Sequence, residues 1–276
     1  MASFRAELLL LRRRAATWIL LAVAILMTLL FSYALPYSAY LSAPAAGRTA
    51  AALAPLLPAR VVSSVLGGFP FYFGTLTLIL GVLAFGSEYG WDTLKTALMQ
   101  RPGRLRLLAA KLAALGVVLA LFTVAVFAAG ALAGVAVALR EGVAVAWPPA
   151  ADIARAVGAG WLILALWALL GALLAVLSRG TALAIGLGIL YALVIEGLIS
   201  GFGAGIPLLQ DVARAFLRTN GYSLIAPLRL TAGAADGPGF FSGPFVDAGQ
   251  ALAVIVGYLV VFAGVTALVL RRRDVA

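Results

Sequence analysis

The run LAALGVVLALFTVAVFAAGALAGVAVAL, Leu112–Leu139, decides the class of this protein. It holds 28 residues without a charge, bracketed by Lys111 and Arg140. About 20 apolar residues suffice for a helix to cross a bilayer. The apolar residues are continuous, whereas a membrane β-barrel alternates them about every second residue. The whole chain repeats this character. Of its 276 residues, 64% are apolar and 11% charged, and the mean hydropathy is +1.11. A soluble domain is about 45–50% apolar and about 25% charged. The expected fold is therefore all-α and polytopic, one transmembrane domain over 1–276, with no internal repeat.

Working outward from that run, five further spans are expected. The first runs from Ala15 to about Leu35, behind Arg12-Arg13-Arg14. It is longer than the apolar region of about 7–15 residues in a signal peptide, so it reads as a retained span. The second covers about Val65 to Phe85, the fourth Val157–Leu177, the fifth Thr181–Ser200 and the sixth Ala251–Leu270. Ser178-Arg179-Gly180 is all that separates the fourth from the fifth.

Lys and Arg collect on the cytoplasmic side of membrane proteins. If 1–14, 86–111, 178–180 and 271–276 lie inside, they carry 13 of the 20 basic residues. The net charge is then +9 inside and +2 outside, with Glu196 inside a span giving −1. This places both termini in the cytoplasm and the chain in the inner (plasma) membrane. The overall charge of +10 is thereby explained by topology. No basic face with interleaved aromatics points to nucleic acid.

The chain has no Cys and no His. That removes thiol nucleophiles, disulfides, histidine-ligated metals and Ser–His–Asp catalysis. No close acidic pair lies within the spans. No catalytic residue and no metal site is therefore expected.

Two segments outside the spans carry more specific patterns. In 1–14, Phe4, Leu8 and Leu11 fall at i, i+4 and i+7. A helix lying in the cytoplasmic interface would bury that face and leave Arg5 and Glu7 near headgroups. In 86–111, Trp91, Leu94 and Leu98 form one face of a short helix that Pro102-Gly103 ends. Glu88 and Asp92 beside it favour a protein partner over an anionic leaflet, which would repel them.

The string Glu88-Tyr89-Gly90-Trp91-Asp92-Thr93-Leu94-Lys95, followed by Arg101-Pro102-Gly103-Arg104 and Lys111, resembles the cytoplasmic loop of ABC transporter permeases of the type-2 exporter class. Six-span permeases similar to bacitracin- and lantibiotic-resistance subunits belong to that class. The family pattern of Glu, Gly-Thr-Leu, Pro-x-Arg and Lys maps onto Glu88, Thr93, Leu94, Pro102, Arg104 and Lys111, with Asp92 where the family often has Gly. The resemblance implies that two permeases pair, as copies or paralogues, and that each docks a cytoplasmic ATPase. Glu88, Tyr89, Gly90, Trp91, Asp92, Thr93, Leu94, Lys95 and Leu98 would form the coupling contact. This chain has no Gly-x-x-x-x-Gly-Lys-Ser/Thr phosphate loop. ATP and Mg would therefore be bound by the partner, with no cofactor on this chain. The rival readings are a membrane-embedded lipid-modifying enzyme and a channel.

Glu196 is the one acid inside a span, in its outer half. It either faces a translocation path or partner permease, or makes a satisfied contact with a neighbouring helix. An uncompensated charge in lipid is costly. Gly197, Gly201 and Gly205 follow at four-residue spacing and predict close approach of another helix. In the long segment 201–249, Ile206, Leu209, Val212 and Phe216 predict a short amphipathic helix, with Asp211, Arg214 and Arg218 on its other faces.

Overall fold

A computed structural model of the chain describes residues 2–90, 103–202, 206–229 and 246–272. Among the described residues there are helices and turns and no strand. Six helices are long and apolar enough to cross a membrane: Ala15–Ser42, Phe69–Ser87, Leu105–Arg140, Ala150–Ser178, Ala182–Ile199 and Ala248–Arg271. The protein is thus an all-α, multi-pass membrane protein. An even number of crossings returns the chain to the side where it began. That side is called here the terminal side, and the opposite one the far side.

The second and fourth spans form the centre. In each, 61% of the most apolar window is buried, against 22% in the fifth and 17% in the sixth. Helices in lipid gain little from hydrophobic exclusion, so close backbone packing must supply the attraction. Gly81 and Gly171 provide it here. A Cβ on Gly81 would collide with the Ala168 carbonyl oxygen, and one on Gly171 with the Leu78 carbonyl oxygen. Each glycine therefore seats against the backbone of the other helix. Trp161 ties the fourth span to the third by donating from Nε1 to the Gly116 carbonyl at 2.9 Å.

The third helix is longer than its apolar run. It spans Arg104–Arg140, 37 residues. At about 1.5 Å per residue that is roughly 55 Å, against a hydrocarbon core of about 30 Å. The helix therefore begins eight residues before Leu112 and stands out on the terminal side. The second span likewise continues as helix to Gly90.

Three π-helical turns interrupt the spans. They cover Thr28–Ala34 in the first, Phe69–Phe73 at the start of the second and Leu190–Ile195 in the fifth. Pro70 lies in the second of these, where its missing N–H loosens the ladder. All three fall in the far-side half of their spans, and π turns concentrate at functional positions.

The N-terminal helix, Ala2–Arg13, forms as expected, but its surroundings differ. Leu11 is buried, and Phe4 and Leu8 pack on the core, while Leu9 and Leu10 are exposed. Glu7 is not near headgroups; it is buried. The reason is the terminal-side extension of the third helix, a protein surface on which this helix lies.

The tight connection between the fourth and fifth spans is also as expected. Arg179 closes the fourth helix in the left-handed conformation at φ 55°. A short end of this kind satisfies helix carbonyls without further chain.

Beyond the fifth span, one amphipathic helix was expected, and the described residues before 226 hold two helices. Pro207–Ala213 is followed by a turn and then by Leu217–Ile225. In the first, Ile206, Leu208 and Val212 are exposed, and Asp211 pairs with Arg214 at 3.2 Å. In the second, Arg218, Thr219, Asn220 and Ser223 are all buried. Arg218 thus does not lie on an outer face. The turn at 214–216 redirects the chain, so a single helical period does not run through it.

Candidate functional site

Among the described residues, two buried acid–base pairs form polar junctions, one on each side. The terminal-side junction gathers the two arms of the 86–111 loop. Arg14, where the N-terminal helix meets the first span, donates to the Leu83 carbonyl and, at 2.7 Å, to Ser87 Oγ. Both acceptors lie near the end of the second span. On the other arm, Lys111 Nζ lies 2.9 Å from Glu7 Oε2, with side chains 7% and 11% exposed. The same ammonium stands 5.9 Å from the centroid of Phe85. A cation over a ring face gains about 1 kcal/mol or more when desolvated. The N-terminal segment therefore grips the exit from the second span and the entry to the third.

Between those arms lies the segment expected to dock a partner. Trp91, Asp92, Thr93, Leu94, Lys95 and Leu98 lie outside the described residues. Glu88, Tyr89 and Gly90 form the last helical residues after the second span, and their side chains lie outside what is described. Lys111, which carries the end of the family-like pattern, is placed in the junction itself. Glu7 and Arg14 were not singled out as site residues. The available signal was Glu7, an acid within an otherwise basic terminus facing a lone Lys at the edge of an apolar run.

The far-side junction is built around Glu196. This residue is fully buried and is the first after the π turn Leu190–Ile195. Its Oε1 accepts from the Leu217 N–H at 2.9 Å. Both carboxylate oxygens face the Arg218 N–H, at 3.4 and 3.3 Å. Arg218 Nε is 3.6 Å from Glu196 Oε2, and its guanidinium stands 5.3 Å from the centroid of Phe71. Tyr191, one turn earlier on the fifth span, packs against Trp167 and Phe216. Tyr258 of the sixth span donates to the Ala215 carbonyl at 2.9 Å.

The geometry gives Glu196 hydrogen-bond partners within its own chain. Its partners are the amides opening the following helix, together with the Tyr191 hydroxyl. Within this chain no element packs against Gly197. A Cβ on Gly197 would meet nothing within this chain, Gly201 continues the same helix, and Gly205 lies outside the described residues. Within this chain the carboxylate brings the next element close. Arg218 was the residue missed. A charged side chain nineteen residues beyond a span carries no local mark of burial.

The sequence profile of the ABC-2 family transporter proteins matches residues 3–195. The chain belongs to the ABC-2 transporter family. With its six apolar helices, this ABC-2 protein is a permease subunit of an ABC transporter. The match takes in the N-terminal helix, the 86–111 loop and nearly all of the fifth span. It ends one residue before Glu196, so the far-side helices and the sixth span lie beyond it. Comparison with curated proteins gives no match.

Proposed function

We propose that this chain is the membrane subunit of an ATP-driven exporter, one transmembrane unit that pairs with a second permease and binds a separate cytoplasmic ATPase. The terminal side is then cytoplasmic and the membrane the cell's inner (plasma) membrane. ATP and Mg belong to the ATPase. The loop residues Glu88, Tyr89, Gly90, Trp91, Asp92, Thr93, Leu94, Lys95 and Leu98 make the docking contact, with Trp91 and Leu94 as its apolar anchors. The likeness of this loop to that of bacitracin- and lantibiotic-resistance permeases supports export as the direction.

The observation that carries this reading is the terminal-side junction. A loop that transmits force needs firm attachments at both ends, and Arg14 and the Glu7–Lys111 pair supply one at each arm. A push on the loop would reach the first, second and third spans together.

Purification of the chain from its own cells tests the reading. An ATPase should come with it, and Trp91→Ala should remove most of that ATPase while the permease stays monodisperse. Truncating a buried aromatic anchor commonly costs about 2 kcal/mol or more, roughly thirtyfold in affinity. ATPase retained undiminished by Trp91→Ala refutes the docking role, and no ATPase in the wild-type preparation refutes the exporter.

A further inference from the structure

Helix Leu217–Ile225 is buried, yet it carries Arg, Thr, Asn and Ser among its nine residues. It lies against the second, fourth and sixth spans, and its own sequence does not explain how it stays there. The first N–H groups of any helix have no partner within it. The residue before this one, Phe216, has an extended backbone and no side-chain acceptor to offer. The acceptor comes instead from Glu196 on the fifth span, through Leu217 N–H and Arg218 N–H.

The rest of the seat is steric and weakly polar. Gly221 lies against Pro70, where an added Cβ would come within 3.0 Å of the proline Cβ. Tyr222 Oη is 3.4 Å from the Gly67 carbonyl. Thr219 Oγ1 and Asn220 Oδ1 are buried without a hydrogen-bond partner among the described residues. Water would stabilise both if the helix withdrew. Asn220 also folds its amide back onto the Arg214 and Phe216 carbonyls, each at 2.8 Å. The turn and the helix are therefore joined as one piece.

We propose that Glu196 is a latch: its carboxylate holds helix Leu217–Ile225 seated among the spans, and its release lets that helix withdraw as a unit and unseal the far-side end of the bundle. What the unsealing serves rests on the permease reading; the latch itself can be measured on this chain alone.

The protein lacks cysteine, so a single introduced thiol reports one position. Thr219→Cys probes the latched helix, and Thr123→Cys, equally buried in the third span, serves as control. Both are placed in chains reconstituted in lipid nanodiscs and treated with a charged maleimide. Thr219→Cys should label slowly with Glu196 present and about tenfold faster or more with Glu196→Leu, while Thr123→Cys keeps its rate. Glu196→Gln retains one acceptor oxygen and should give a smaller rise, again at 219 alone. An unchanged rate at 219 in a folded Glu196→Leu protein overturns the latch. Equal acceleration at both thiols overturns it too, because Glu196 would then support the bundle at large. If Glu196→Leu does not fold, Glu196→Gln is judged by the same criteria. If neither folds, the latch is likewise overturned, since releasing one helix would leave the other spans assembled. Loss of ATPase binding would leave these rates untouched, so the two readings fail separately.

Discussion

Glu7 and Glu196 are both buried acids, and they are held in different ways. Glu7 meets the Lys111 ammonium at the end of an apolar run, charge against charge, with a little exposure on both side chains. Glu196 is sealed completely and is held by backbone amides, the Tyr191 hydroxyl and a guanidinium 3.6 Å away. Near the interface, water can relieve a broken pair. Deep in the bundle it cannot, and only atoms fixed by the fold are available. Backbone amides at a helix start are such atoms. They also complement negative charge through the helix dipole.

This contrast yields a ranked set of effects. Glu196→Leu removes the acceptor from two buried amides and leaves Arg218 without its carboxylate. Breaking a buried pair from one side costs about 3–5 kcal/mol. Its unfolding in mixed detergent should shift by about that much, and Glu196→Gln by less than half. Equal shifts would mean that charge, not hydrogen bonding, holds the far-side junction.

Lys111→Met keeps the apolar stem over Phe85 and removes the charge opposite Glu7. A smaller loss, about 2 kcal/mol, is expected because the terminal-side junction is closer to water. Adding Glu7→Gln should restore part of it. A double variant no better than Lys111→Met would show that the cation acts through Phe85 rather than Glu7.

The smallest effect belongs to an exposed pair. Asp152 and Arg155 are 3.0 Å apart with side chains 40% and 69% exposed. Arg155→Ala should change stability by no more than about 0.5 kcal/mol in the same assay. A loss comparable to that of Lys111→Met would break the argument that burial sets the scale.

The pairings also show what was legible. The Asp211–Arg214 and Asp152–Arg155 pairs lie three residues apart on one helix, within reach of local reasoning. Glu7 and Lys111 are 104 residues apart, and Arg14 and Ser87 73. No local period connects them. The Phe4–Leu8–Leu11 stripe correctly marked an amphipathic helix. It could not distinguish lipid from protein as the apolar surface beneath it, because both are apolar. The four-residue glycine spacing after Glu196 suggested a contact face. Within this chain Gly81 and Gly171 make such a contact, each against the backbone of the other's span.

The sequence by itself determined the membrane class, the six crossings and the short turn at Arg179. These depend on continuous apolar length and on local backbone limits, which neighbouring residues set between them. It also carried the loop pattern that resembles the permease class, and the burial of Glu196, since an acid in an apolar run has nowhere else to go. Only the tertiary structure decided the partners. Glu7 meets Lys111 because the third helix extends past its apolar run, and Arg218 is buried because a turn at 214–216 sends its helix back among the spans. Burial of a charge is stable only with a partner, and which partner arrives depends on how distant helices are aimed, information that no short stretch of chain contains.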